Sequence, residues 1–316
     1  MSLVLQMSDP HFGTEQPEVV QALLSLIDRV KPEVVLLSGD VTQRARSGQF
    51  ERAAAFIAKV SCPVLVVPGN HDIPLYNVFA RIWSPYGNYT RWLGKDLEPV
   101  YESEDYLVIG VNSTRPSRHK DGEVGASQIL RVQRRLAQAR PGQLRIVMLH
   151  HPVRAQEESD RANLLHGRQV AVPTWIDAGA DIILGGHIHL PYILPLQGRL
   201  PEAGPDRHPE GDAALSNVRH GWVVQAGTSV SHRVRGTIPN SVNIIERPDG
   251  LRLVPGGPDQ CTAERWDFDL TTNNFQRVSR QVLNLTPLDG SRGDNADGSI
   301  EVSIDLPGIP ATSSIG

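Results

Sequence analysis

Two cysteines, Cys62 and Cys261, are too few and too far apart in 316 residues for a disulfide framework or a thiolate metal site. Cys62 precedes an apolar run and reads as a small buried hydrophobe. Aromatic residues are scarce at 5%, and no stretch approaches the ~20 consecutive apolar residues that span a bilayer. No run of lysine and arginine offsets the net charge of -4, so neither a generic nucleic-acid surface nor an anionic membrane is an expected partner. The chain opens directly on the strand-like segment 2–7, with no basic region before it and no cleavage site after it, and a cytoplasmic protein is expected. Turn formers, by contrast, are plentiful: 28 glycines and 24 prolines imply many tight connections between compact elements.

The apolar residues fall into short runs at 33–38, 63–67, 106–111, 144–149 and 181–184, rich in Val, Ile and Leu and apolar on both faces. Such runs belong to parallel strands covered on both sides. Between them lie helical stripes: Val19, Val20, Leu23, Leu24, Ile27 and Val30; then Phe50, Ala53, Ala54, Ile57 and Val60; then Ile129, Val132 and Leu136. This alternation predicts an α/β layer whose strand-end loops gather on one rim. Beyond Gly186 the runs 222–226, 241–246, 251–254 and 262–270 have no helical periodicity between them, which predicts a mainly antiparallel second sheet stacked on the first within one domain, 1–288. Segment 197–221 is a long polar loop, either functional or a plain solvated hairpin. In the tail 289–316, Ile300, Val302, Ile304 and Leu306 alternate cleanly, so the tail is expected to lend a strand to this chain or to a neighbour, which leaves a homo-oligomer open.

Five clusters each follow directly on one of the apolar runs: Asp9-Pro-His11, Gly39-Asp40, Gly69-Asn70-His71-Asp72, His150-His151 and Gly186-His187-Ile188-His189. Ligands scattered through a sequence converge only if consecutive parallel strands deliver them to one sheet edge, which is what a two-metal hydrolytic site needs. Asp9 and His11 are two apart, so in extended chain both side chains leave on one face; His187 and His189 repeat the spacing. Asp40 carries two oxygens that can bridge two cations, Asn70 offers an amide oxygen and His150 an imidazole. Imidazole and carboxylate without thiolate suit two ions of Mn, Fe or Zn, with no choice among them. Singly each match is weak, since Gly-Asp at a strand end is often a helix cap; five in order, each at a strand exit, point to one site. Two closely spaced cations lower the pKa of a shared water, and the resulting hydroxide can attack a phosphoric ester in line.

This series, from Asp9-x-His11 to Gly186-His187-x-His189, resembles the calcineurin-like metallophosphoesterases over about residues 2–191, with an overall look nearest to class III cyclic-nucleotide phosphodiesterases and related bacterial phosphodiesterases. The resemblance implies a four-layer sandwich of two mixed β-sheets flanked by helices. It implies that Asp9, His11 and His189 hold one metal, that Asn70, His150 and His187 hold the other, and that Asp40 bridges them. It places His71 outside the metal shell as the group that donates to the phosphoryl oxygen or the leaving alkoxide, with Asp72 fixing its ring. The expected activity is hydrolysis of a small phosphodiester such as a cyclic nucleotide. Rival readings keep the fold but turn it to a nucleotide pyrophosphate, a phosphomonoester or a nucleic-acid end, or make it a noncatalytic scaffold.

Secondary candidates surround this set. Arg44, four residues after Asp40, is placed to meet a substrate phosphate bidentately, or else is a solvated first-turn arginine. Asn112 and Ser113 leave a strand on the same rim, where substrate contact competes with a turn role. His151 is expected to point away from His150 in extended chain and to play a supporting or structural role, and His166 to lie on the surface rather than face the pocket. Tyr76, Phe79, Trp83, Tyr86, Tyr89 and Trp92 follow the Asn70-His71 motif, either to stack a base, to close a subunit interface or to cover the sheet edge as local core.

Overall fold

Every apolar run of the first half becomes a strand. The structure, a computed structural model, describes residues 2–199, 218–247 and 259–286. The strand expected at 251–254, the loop at 200–217 and the tail 289–316 lie outside the described residues. In the first sheet β1 (Ser2–Met7), β2 (Val34–Ser38) and β3 (Val64–Val67) run parallel. Three antiparallel strands extend it from β1: β10 (Ser241–Arg247), β11 (Asp259–Asp269) and β12 (Asn274–Leu285). In the second sheet β5 (Tyr106–Gly110), β6 (Leu144–Met148), β7 (Ile182–Gly185) and β9 (His220–Gln225) run parallel. The antiparallel strands β4 (Val100–Glu102) and β8 (Tyr192–Gln197) form its edges.

Side chains alternate along a strand, and here both faces are apolar because both are covered. Val4, Val34, Leu36, Val108, Ile146 and Leu184 meet between the sheets. Their neighbours Leu5, Val35 and Leu37 face α1 (Pro17–Val30) and α2 (Ser47–Ile57), while Leu107, Val147 and Ile183 face α5 (Ala126–Leu136) and α6 (Arg168–Asp177). The result is a four-layer sandwich of two mixed sheets flanked by helices. Each large aliphatic side chain so buried contributes about 1.5–3 kcal/mol.

Two expectations change. The later strands build no sheet of their own: β10 pairs with β1 and β9 with β7, because an open strand edge is satisfied by the next strand that can reach it. Helix α6 carries no apolar stripe, since polar Thr174 is buried with Ala171, Val172, Trp175 and Ile176 while apolar Val170 is exposed and Pro173 sits within it, so periodicity alone passes over it.

Candidate metal centre

β1, β2, β3, β6 and β7 end on the same rim, and the loops that leave them are tied to one another before they reach solvent. Asp9 N donates to Gly39 O (3.1 Å) and His11 N to Asp40 O (3.1 Å), so the first two loops go on pairing past the ends of their strands. Gly39 has φ +91°, and a Cβ there would overlap the His150 ring; a Cβ on Gly69 would overlap the Asp40 backbone. Glycine in these motifs therefore lets the next ligand loop close in.

Five of the eight non-glycine residues with positive φ among the described residues are the expected ligands Asp9 (50°), His11 (43°), Asp40 (46°), His187 (74°) and His189 (56°). Left-handed backbone costs a non-glycine residue about 1–2 kcal/mol and persists where the surroundings enforce it. This corrects the reading of Asp9/His11 and His187/His189 as extended pairs: their side chains converge through left-handed turns, not through strand periodicity.

The seven expected ligands come together. Asp40 Oδ2 lies 3.8 Å from His11 Nε2, and Asp40 Oδ1 lies 3.3 Å from His150 Nε2, so its two oxygens face two groups of donors. On one side His189 Nε2 is 3.2 Å from Asp9 Oδ1 and 3.1 Å from His11 Nε2. On the other, Asn70 Oδ1 is 3.2 Å from His150 Nε2, and the His150 and His187 rings are 5.1 Å apart. Carbonyls orient two of the imidazoles: His150 Nδ1 donates to Ser38 O (2.9 Å) and His189 Nδ1 to Arg233 O (2.6 Å), which turns each Nε2 lone pair inward.

Burial on its own would raise the Asp9 carboxyl, but the His189 and His150 imidazoles hold it well below the usual carboxylate range. Asp40 behaves in the same way, burial being overcome by His150, His71 and His11. Burial also opposes a charge on His150, yet Asp40 pushes it up to about 9, whereas burial brings His11 and His187 down to about 3. The centre is thus two buried carboxylates that demand positive charge, ringed by imidazoles able to give up their protons. Asp9 Oδ1, fully buried, makes no well-formed hydrogen bond, its near neighbour being the inward-turned His189 Nε2 at 3.2 Å. An orphaned carboxylate oxygen amid inward-facing imidazole nitrogens fits a cation better than it fits a closed hydrogen-bond network.

His71 stands at the edge of this set, 29% exposed, with Nε2 4.0 Å from Asp40 Oδ2. Its Nδ1 donates to Gln43 O (2.9 Å), not to Asp72. The expected role of Asp72 as a support for the His71 ring is therefore corrected. Its carboxylate accepts from the backbone N–H groups of Val41 (3.0 Å), Thr42 (2.8 Å) and Gly69 (2.9 Å) and from the Thr42 hydroxyl (2.9 Å), clamping the Asp40 loop to the Asn70 loop. Burial, then the charge on Asp40, raises its pKa to about 6 against those donors.

Neither expected substrate contact reaches the cleft. Arg44 points to solvent, donates to the Tyr76 hydroxyl (2.7 Å) and stacks on that ring. Asn112 spends its amide inside a turn, accepting from Thr114 N (3.0 Å) and donating to the Tyr86 hydroxyl (3.1 Å). Ser113 is buried against His151 Nδ1 (2.8 Å), and His151, its Nε2 on Lys120 O (3.0 Å), packs its ring 4.7 Å from that of His187, in the supporting position expected of it. His166 is exposed, as expected. The aromatic segment splits in two: on α3 (Val78–Trp83) Phe79 and Trp83 are exposed, whereas Tyr89 on α4 (Gly87–Leu93) is core. The cleft over the centre, about 530 Å³, is lined by Asp40, Asn70, His71, His187 and His189, and also by Arg233, which no motif flagged. Arg233 follows β9, and only the parallel pairing of β9 with β7 puts that connection on the ligand rim.

The chain belongs to the calcineurin-like phosphoesterase family, whose pattern residues 2–191 match. It is 28% identical over 182 residues to a probable cyclic nucleotide phosphodiesterase of Synechococcus, covering 56% of this chain and 65% of that relative's length. It is 21% identical over 255 residues to the 3′,5′-cyclic adenosine monophosphate phosphodiesterase of Escherichia coli, covering 76% of this chain and 88% of that protein. In fold it is similar to a purple acid phosphatase of yellow lupin, with TM-score 0.60 and 11% identity over 90% of this chain and 53% of the other. A dimetal phosphatase of Danio rerio gives TM-score 0.56 and 11% identity over 90% and 99%. Among the described residues no helix is long and apolar enough to cross a membrane.

Proposed function

We propose that this protein is a dinuclear metal-dependent phosphodiesterase acting on a small phosphodiester, with a cyclic nucleotide as the first candidate. One observation carries the reading: Asp40 turns one oxygen to His11 and the other to His150, the arrangement of a carboxylate shared by two cations. Asp9, His11 and His189 would hold one ion, Asn70, His150 and His187 the other. Mn, Fe and Zn all suit this donor set. When bound, the ions supply an activated water and neutralise charge on the phosphoryl group. The chain's own residues do the rest. His71, its Nδ1 fixed on Gln43 O, presents Nε2 to the cleft, where it can exchange a proton with the leaving alkoxide. Asp72 keeps the Asp40 and Asn70 loops in register without touching substrate. The choice of a diester follows the activities for which the Synechococcus and Escherichia coli relatives are named.

The test is hydrolysis of bis-p-nitrophenyl phosphate after metal stripping and reloading with Mn, Fe or Zn, followed by cyclic nucleotides, glycerophosphodiesters, nucleotide pyrophosphates and phosphomonoesters. His71→Ala is expected to keep its metal by elemental analysis and to lose about 10²–10⁴-fold in kcat. A folded wild-type protein inert with every metal, or one that purifies and stays empty of metal, would favour the noncatalytic scaffold.

A further inference from the structure

A side-chain cation would meet the substrate charge that the two ions leave over, but Arg44, the residue sequence spacing offers, is bonded to Tyr76 outside the cleft. We propose that Arg233 fills this role: its guanidinium binds a nonbridging oxygen of the substrate phosphoryl group beside His71. The proposal rests on the phosphoesterase reading above.

Three observations support it. Arg233 lines the cleft together with His71 and His189, and its Nη1 donates to Gln43 Oε1 (3.0 Å) and lies 3.4 Å from His71 Nε2. Gln43 Oε1 is a neutral acceptor, and among the described residues no carboxylate pairs with Arg233, whereas Arg235 two residues on is held by Asp160 and Glu157. A guanidinium kept in a cleft without a counter-carboxylate is matched by an incoming anion, and its planar fork suits a phosphoryl group bidentately.

The backbone under Arg233 is also rigid. Arg233 O accepts from His189 Nδ1 (2.6 Å) and Thr228 Oγ1 (3.1 Å), and Arg233 N donates to Ser231 Oγ (3.0 Å). Arg235 Nη1 clamps the same segment to Asp160 (2.8 Å) and to Ile188 O (3.3 Å), between the two histidines of the last motif. The bond that orients His189 thus fixes where the Arg233 side chain starts, so the cation is organised before substrate arrives.

The experiment uses the full chain loaded with Mn and compares wild type with Arg233→Ala, Arg233→Lys and Arg44→Ala. It measures metal content, kcat and KM for bis-p-nitrophenyl phosphate, competitive inhibition by inorganic phosphate, and direct phosphate binding by calorimetry. Arg233→Ala is expected to raise KM and weaken phosphate binding about 10-fold or more at unchanged metal content, because only the side chain is removed. Arg233→Lys should recover part of the loss, as a point charge without the fork. Unchanged KM and phosphate affinity in Arg233→Ala would overturn the proposal. So would a fall in kcat alone, which would mean that Arg233 only positions His71, or a larger effect from Arg44→Ala. Wild-type protein inert toward every ester would sink the hydrolase reading instead, and calorimetry would still decide whether Arg233 binds phosphate.

Discussion

Four residues separate Leu36, wholly buried between the sheets, from Asp40, which is 2% exposed on the rim, and Ile146 stands in the same relation to His150. The two regions are equally dry and are built from the same strands, yet each meets its burial differently. Between the sheets, apolar side chains in ordinary strand backbone exclude water and ask for nothing more. On the rim, two carboxylates and three imidazoles, those of Asp9, Asp40, His11, His187 and His189, sit largely buried on left-handed backbone, with Asp9 Oδ1 making no well-formed hydrogen bond. Such a region is held by charge, here the carboxylates against the imidazoles around them, rather than by the exclusion of water. The difference separates what makes the fold stable from what makes it chemically competent, and it can be tested by breaking each side in turn.

The largest contrast is between Asp40→Asn and Leu36→Ala. If Asp40 is the carboxylate shared by two ions, Asp40→Asn should lose bound metal and kcat/KM should fall by roughly 10³-fold or more. In denaturant unfolding without metal the variant should lose less than Leu36→Ala, since Asp40 gives up its pairing with His150 while its repulsion with Asp9 is relieved. Leu36→Ala should lose about 2–5 kcal/mol in denaturant unfolding while keeping metal and kcat within a few-fold per folded molecule. If Asp40→Asn were as destabilising as Leu36→Ala, the rim would be structural and the contrast false.

A second, smaller effect belongs to the apolar side alone. Burial holds the Tyr106 hydroxyl well above its ordinary range, as it does that of Tyr89, and burial with the Glu33 carboxylate raises Tyr101 to about 12. Below about pH 10 both folded and unfolded chains keep these protons, so the tyrosines leave stability flat. Above it the unfolded chain ionises while the folded tyrosines do not, and stability falls as pH climbs toward the folded values. Urea midpoints from pH 8 to 11 should therefore drop only at the alkaline end, less steeply in Tyr106→Phe. An equal drop in that variant would assign the alkaline loss to other groups.

The same comparison explains what could be read from the sequence. Strands buried on both faces announce themselves as unbroken Val, Ile and Leu runs, and the residues just past them inherit a known address, so the seven residues read as ligands lie close together on one rim. What escaped depended on contacts that no local pattern carries. Arg233 reaches the rim only because β9 joins β7 in parallel, and β9 was expected to be antiparallel. Asp72 lies next to His71 in sequence, yet its carboxylate turns back to the N–H groups of Val41, Thr42 and Gly69, which only the folded loops bring near. Arg44 was placed by its spacing from Asp40, but an exposed tyrosine across the rim captured it.

The smallest effect tests the comparison inside one segment. Tyr89 on α4 is 1% exposed, donates its hydroxyl to Val66 O (2.9 Å) and meets the Phe50 ring edge to face at 6.0 Å, so it belongs with the apolar layers. Trp83 on α3 is 82% exposed, with Phe79 at 79% one turn away. Tyr89→Phe removes only an oxygen and leaves the Val66 carbonyl without its partner, for a loss of about 1 kcal/mol. Trp83→Ala removes a whole indole, yet stability should stay within about 0.5 kcal/mol of wild type because almost none of that ring is covered by its own chain. Thermal unfolding of the two variants side by side reads the difference. A greater loss from Trp83→Ala would mean that α3 is covered in the working protein, and the division of the aromatic segment into a buried and an open half would fall.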